Sequence, residues 1–156
     1  MFRETICFDD VLLVPQKSTI NSREEIDLTT TIAEHKFRLP IISSPMDTVT
    51  ESAMALAMFD SGGFGVVHRY NTPQEQCKII RDISEVLENT SSVHINNISA
   101  AIGTSSDFEN RARSAYECGA RILCIDVAHG HHSLVEKSIK TLKDAFGEKV
   151  TVMAGN

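Results

Sequence analysis

From residue 39 onward the chain alternates short aliphatic runs with longer stretches whose apolar residues recur every three or four positions. The short runs, rich in β-branched residues such as Ile122-Leu-Cys-Ile125 and Val150-Thr-Val152, predict strands at 40–44, 64–68, 94–102, 121–127 and 149–154. The periodic stretches predict helices at 50–61, 73–87, 106–117 and 133–145. Ile79, Ile80, Ile83 and Leu87 mark one helical stripe; Leu134, Ile139, Leu142 and Phe146 mark another. Met54, Leu56, Ala57 and Met58 supply the apolar face of the first helix. Thr72 before Pro73 predicts a helix start, as does Thr48 or Thr50 before the first helix. Residues 1–38 read as an irregular lead-in. There Val11-Leu-Leu-Val14 is stopped by Pro15, and residues 22–32 alternate well enough for an extended segment. Residues 88–92 form a polar loop.

Strands alternating with helices imply parallel βαβ units and an α/β fold. Four such units and a fifth strand are present. A closed (β/α)8 barrel needs eight units and about 250 residues; an open doubly wound sheet fits the alternation equally well. In either fold ligands gather where strands end and helices begin. Ser43, Ser44, Pro45, Met46 and Asp47 interrupt the apolar run at such a place. Two hydroxyls, a soft thioether and a carboxylate make this loop a candidate small-molecule site. Asp126 closes a later strand. A carboxylate there either accepts two hydrogen bonds from vicinal ribose hydroxyls or caps the following turn.

The chain has 156 residues, a net charge of −6 and 42% apolar residues. That is the balance of a globular domain with a real core, without the basic footprint of a nucleic-acid or membrane-surface binder. No apolar run reaches the roughly 18 residues of a membrane span, and the N-terminus carries no signal-peptide core. The expected setting is cytoplasmic. None of the four cysteines, Cys7, Cys77, Cys118 and Cys124, is spaced C-x-x-C, so reduced, buried thiols are expected rather than a metal or redox motif. His129, His131 and His132 lack the spacing and companion carboxylate of a tetrahedral site. A solvated loop or a contact to a phosphate is the expectation, with no metal. Gly62-Gly-Phe-Gly65 is a turn feature, not a phosphate cradle.

The stretch Ser43-Ser-Pro-Met-Asp-Thr-Val-Thr-Glu51 closely resembles a signature of the IMP dehydrogenase/GMP reductase family. Phe8-Asp-Asp-Val-Leu-Leu-Val-Pro15, Gly62-Gly-Phe-Gly-Val-Val-His68, Ala100-Ala-Ile-Gly-Thr104, Ile125-Asp-Val-Ala-His-Gly130 and Met153-Ala-Gly-Asn156 are similar to further family motifs, in the family's order, from about residue 6 to the end. The resemblance implies a parallel (β/α)8 TIM-type barrel. About its first four and a half units would be present, with 1–38 as lead-in and 39–156 as barrel units of one domain.

The resemblance also implies roles. Ser44, Met46 and Asn156 would contact the purine nucleotide. Asp126, Thr104 and Gly130 would contact a nicotinamide cofactor, NAD or NADP, with Asp126 on its ribose. Relatives that sandwich the adenine use aromatic or His groups where this chain has Ser105 and Leu134. Asp47 is expected to bond backbone N–H groups of its loop. The implied reaction runs through a cysteine adduct at purine C2 and hydride transfer. The loop bearing that cysteine follows the sixth barrel strand, so no residue of this chain is assigned as catalytic, and residues 1–156 alone are expected to be inactive. A homotetramer and a potassium ion belong to the complete enzyme. The motif residues lie closer to IMP dehydrogenases, which oxidise IMP to XMP with NAD. The short 88–93 connection, with no room for a CBS pair, resembles compact GMP reductases, which convert GMP to IMP with NADPH. A non-catalytic half barrel that pairs with a complementary chain is the remaining expectation.

Overall fold

Five parallel strands form one sheet in strictly sequential order, in a computed structural model that describes residues 3–90, 93–105 and 107–155. They are β3 (Ile42–Ser43), β4 (Phe64–Val67), β5 (Ser99–Ile102), β6 (Ile122–Asp126) and β7 (Thr151–Gly155), preceded by the two strands of a hairpin, β1 (Thr30–Ile32) and β2 (His35–Phe37). Helices α1 (Ser52–Ser61), α2 (Pro73–Asn89), α3 (Phe108–Glu117) and α4 (Ser133–Phe146) connect the parallel strands. A doubly wound sheet reverses its strand order at a switch point. The order β3-β4-β5-β6-β7 has no reversal, which leaves the first part of a (β/α)8 barrel. Every residue of β4 and β5 is buried, as expected of strands covered on both faces.

The helix starts follow their capping chemistry. Thr72 caps α2: its hydroxyl accepts from the Glu75 N–H at 3.2 Å, and the Glu75 carboxylate accepts from the Thr72 N–H at 2.8 Å. The first helix departs from expectation. It begins at Ser52 behind Glu51, with no side-chain cap, because the Thr50 hydroxyl is committed elsewhere. Its buried face is Ala55 and Phe59, while Met54 is 40% exposed. The apolar residues of this helix surround it, so their spacing does not mark the inner side. Gly65 explains how α1 packs so closely. A Cβ there would lie 2.6 Å from Ser43 Oγ and 3.2 Å from Ala55 Cα.

Three further expectations are corrected. The strand expected from residue 94 begins at Ser99, and a 3-10 turn occupies Val93–Asn97. Asn97 is buried, and its side-chain oxygen accepts from His35 Nδ1 at 2.9 Å instead of the residue joining the ladder. The lead-in also hides the β1–β2 hairpin, closed by Ala33-Glu34 with Ala33 at φ 52°. A two-residue hairpin turn favours positive φ, usually through Asn or Gly; neither is present to announce it. Phe37 stacks on Phe64 with centroids 4.5 Å apart, and His35 Nε2 meets Thr151 Oγ1 at 3.0 Å, so the hairpin closes the N-terminal end of the sheet. Finally, Cys77 of α2 and Cys118 at the end of α3 are joined as a disulfide, Cα to Cα 5.6 Å, across 41 residues of sequence. Packing of two helices, not local spacing, brings them together. Cys124 is half-buried and Cys7 is exposed.

The ends of β4 and β5 are tied by one buried side chain. Gln76, 1% exposed, donates from Nε2 to the carbonyls of His68 and Ala101, both at 2.9 Å. Its Oε1 accepts from Arg111 Nη1 at 3.2 Å, and Arg111 Nη2 donates to the Asn71 carbonyl at 2.7 Å. Replacing Gln76 by Leu strands two carbonyls and a guanidinium in a dry interior. The expected loss is about 2–4 kcal/mol of unfolding free energy, read from urea denaturation; a loss within error of zero would show that water replaces the amide.

Candidate functional site

The parallel register brings every strand-to-helix connection to one edge. Ser43 stands beside Gly65, Ile102 beside Ile125, and Asp126 beside Gly155. The loop after β3 and the ends of β6 and β7 therefore open on the same side. Ser44 and Asp126 are separated by three strand spacings of about 4.8 Å each. Asn156 lies outside the described residues; its neighbour Gly155 pairs with Asp126.

Thr50 holds the first loop. Its hydroxyl lies 2.6 Å from the Ser44 carbonyl oxygen and 2.9 Å from Ser43 Oγ. The Thr50 and Val49 N–H groups both donate to the Met46 carbonyl at 3.0 Å. Ser44 and Met46, both exposed, thus sit on an ordered turn. The expectation that Asp47 ties this loop is corrected, because the Asp47 carboxylate makes no hydrogen bond among the described residues. Thr50 is buried within reach of the carbonyl, whereas Asp47 is exposed.

The site also contains an arginine that the sequence did not single out. Arg69, just past β4, lies across the end of β5. Its Nη2 donates to the Asp126 carbonyl at 3.1 Å, and its Nε stands 3.8 Å from Asp126 Oδ2. Gly103 makes this crossing possible, since a Cβ there would meet Arg69 Nη1 at 3.3 Å. Arg69 Nε is buried and has no hydrogen-bond partner, while the Asp126 side chain keeps 28% exposure. The Asp126 carboxylate caps no turn among the described residues; it stands beside a cation with its oxygens open to a ligand. Next to Arg69, His68 is buried. It accepts the Tyr70 N–H at Nδ1 (3.2 Å), which puts its own proton on Nε2, 3.3 Å from Glu51 Oε1. His68 had a sequence signal, as the residue that ends the strand motif Gly62-Gly-Phe-Gly-Val-Val-His68, whereas Arg69 had none. Asp107 belongs to the same rim, its carboxyl held below the usual range chiefly by the Ser105 hydroxyl at 2.6 Å.

Beyond Asp126 a cleft of about 160 Å³ is lined by Thr104, Val127, His129, His132, Leu134 and Val135. Thr104 is half-buried, and Gly130 lies half-buried in the loop between β6 and α4. His132 is engaged as the N-cap of α4, accepting the Leu134 N–H at 3.0 Å, with His129 edge-on to it at 6.4 Å. Among the described residues no group of three His, Cys, Asp or Glu side chains is placed to hold a metal. The cleft offers an apolar slot with Thr104 at its rim. Asp126 and Arg69 beside it supply one acceptor and one cation. A partly exposed guanidinium, an open carboxylate and the apolar slot suit a ligand that carries hydroxyl and phosphate groups next to a flat ring.

A sequentially ordered parallel sheet with its polar loops on one edge is the catalytic layout of the (β/α)8 barrel enzymes. The family model for the IMP dehydrogenase / GMP reductase domain matches residues 5–156. The chain belongs to the IMP dehydrogenase/GMP reductase family. It is similar to the inosine-5'-monophosphate dehydrogenase of Nitrosopumilus maritimus (strain SCM1), 47% identical over 97 residues, which cover 59% of this chain and 20% of that protein. It is also similar to the GMP reductase of Bacillus cereus (strain ATCC 14579), 30% identical over 156 residues, covering 100% of this chain and 45% of the relative. The GMP reductase of Leishmania donovani is 38% identical over 81 residues, 51% of this chain and 16% of the relative. The chain thus spans less than half the length of these relatives.

Cys124, two residues before Asp126, is the one unpaired thiol of the barrel strands described here. Burial first, and the Asp126 charge second, push its pKa up to about 11. At pH 8 its thiolate is then on the order of one part in a thousand. Iodoacetamide at that pH should alkylate exposed Cys7 in the native chain and spare Cys124 until denaturant is added. Equal labelling of the two under native conditions would contradict the burial argument.

Proposed function

We propose that this edge is the nucleotide and cofactor mouth of a purine nucleotide oxidoreductase that oxidises IMP to XMP with NAD. The observation that carries the reading is the Asp126 carboxylate, held beside the Arg69 guanidinium at the entrance to the Thr104 cleft. Asp126 accepts the vicinal hydroxyls of the cofactor ribose. Arg69 stands beside that carboxylate and presents the exposed part of its guanidinium to the neighbouring phosphate. Thr104 and Gly130 border the rest of the dinucleotide. Ser44 bonds the substrate's ribose phosphate and Met46 packs on its purine, both on the turn that Thr50 holds. Asn156 adds an amide on the substrate side. The nicotinamide ring, when bound, supplies the hydride acceptor.

The adduct-forming thiol is assigned to no residue of this chain. Cys77 and Cys118 are paired, Cys124 is held protonated, and Cys7 sits in the lead-in. Residues 1–156 alone are therefore inactive, and turnover by the purified chain, free of host enzyme, overturns that statement. A cytoplasmic homotetramer with a bound potassium ion belongs to the same reading of the complete enzyme. No described helix is long and apolar enough to cross a membrane.

A second reading, GMP to IMP with NADPH, has its own support. Helix α2 passes to β5 through residues 90–98 alone, and a GMP reductase aligns along the whole chain. Assay of the complete protein carrying this chain decides the direction: production of XMP from IMP and NAD supports the first reading, whereas consumption of GMP with NADPH alone replaces it with the second. In either direction Asp126→Ala should raise KM for the dinucleotide about tenfold to a hundredfold, while KM for the purine nucleotide moves little. Ser44→Ala should do the reverse. A D126A enzyme with an unchanged dinucleotide KM removes the central assignment.

A further inference from the structure

The N-terminal face of the sheet, remote from the mouth described above, holds a cleft of about 530 Å³. Its walls come from the β1–β2 hairpin, the turn before β5, and the chain entering β6 and β7. Three cations stand in them: Lys36, Arg121 and Lys149. The chain carries a net charge of −6, yet none of these three forms an ion pair among the described residues. Their gathering in one concave place is not background charge.

Arg121 is set like a fixed part of the wall. Its guanidinium stacks 4.7 Å from the Tyr116 ring centroid, and Nη1 donates to the Tyr116 and Ala120 carbonyls at 3.1 and 2.9 Å. Nε and Nη2 have no partner among the described residues. Lys36 and Lys149 are exposed point charges on the same walls. The single carboxylate of the cleft, Glu34, is already engaged: its Oε1 accepts from Thr151 Oγ1 at 3.0 Å and lies 3.4 Å from His35 Nε2. Asn97 gives its oxygen to His35, which leaves its NH2 as a further donor, beside the amide of Asn96.

We propose that this cleft binds a phosphate-bearing small anion of nucleoside-polyphosphate size through Arg121, Lys36 and Lys149. A pre-oriented planar fork flanked by two ammonium groups matches the several charged oxygens of a phosphate chain. Three unpaired cations exceed what one carboxylate ligand would neutralise. The volume lies within the usual range of small-ligand clefts, about 300–1,000 Å³. The site stands at the opposite end of the strands from Ser44 and Asp126 and does not depend on the reading given to them.

The test is calorimetric titration of the chain with sodium tripolyphosphate and, separately, with ATP, at low and physiological ionic strength. Each should show one saturable site that weakens with salt. The double variant Lys36→Gln/Lys149→Gln should lose at least about tenfold in affinity for both. The variant Lys78→Gln/Lys137→Gln removes the same charge from exposed positions on α2 and α4 and should bind like wild type. In wild-type chain, tripolyphosphate should shift the backbone amide resonances of Lys36, Arg121 and Lys149 before those of Ser44 and Asp126, a readout that holds even if a variant fails to fold. Tighter binding of ATP assigns a nucleotide, equal binding assigns the phosphates alone, and both support the site. Absence of saturable binding, equal weakening in the two double variants, or shifts confined to Ser44 and Asp126 overturn it.

Discussion

One carboxamide fastens the working end of this fold. At the C-terminal ends of β4 and β5 the ladder stops and two carbonyls, those of His68 and Ala101, are left in a dry interior. Gln76 reaches out of the first turns of α2 and donates to both, while Arg111 of α3 donates to Gln76 in turn. Buried carbonyls without partners are costly, and a network that satisfies every member specifies one arrangement. Two strands and two helices are thereby locked at the point where the chain leaves β4 for His68 and Arg69. Arg69 is delivered across the end of β5 because its predecessor's carbonyl is pinned.

That geometry gives the mouth its chemistry. Parallel pairing alone places Ser44, Thr104 and Asp126 on one edge, but pairing says nothing about charge. Charge comes from a side chain that starts just past β4 and ends beside Asp126, two strands away, over a glycine that leaves it room. A half-buried carboxylate flanked by a guanidinium is not closed off by a full bidentate bridge, since Nε remains 3.8 Å away. Such a carboxylate retains free lone pairs for hydroxyl donors.

The helices and strands were legible where their pattern had a single cause. The stripe of Ile80, Ile83 and Leu87, with Thr72 and Pro73 in front of it, became α2 with the expected cap. The first helix was misplaced at its start because Thr50 has two possible uses, and the tertiary one, binding the Ser44 carbonyl, took precedence. Residues 94–98 mixed Ile with Asn, and the demand of buried His35 for an acceptor drew Asn97 out of the strand. The hairpin went unread because its turn residue Ala33 bears no local mark of positive φ. Of the residues proposed for the site, Ser44, Met46, Thr104, Gly130 and Asp126 stand out in the sequence as strand-end residues or family motif positions. Arg69 was not, since its role depends on a crossing between strands that no linear spacing expresses. The Cys77–Cys118 pairing was hidden for the same reason.

The hairpin that closes the N-terminal end has a further consequence, for the order of assembly. His35 meets Thr151 across 116 residues, whereas each βα unit closes over a few dozen at most. Loop-closure entropy grows with the length enclosed. Phe37 finds Phe64 as soon as β4 forms, but the hairpin's last contact, His35 to Thr151, waits until the fifth parallel strand stands in place. During synthesis the hairpin is thus anchored early through its aromatic ring and latched late through its imidazole.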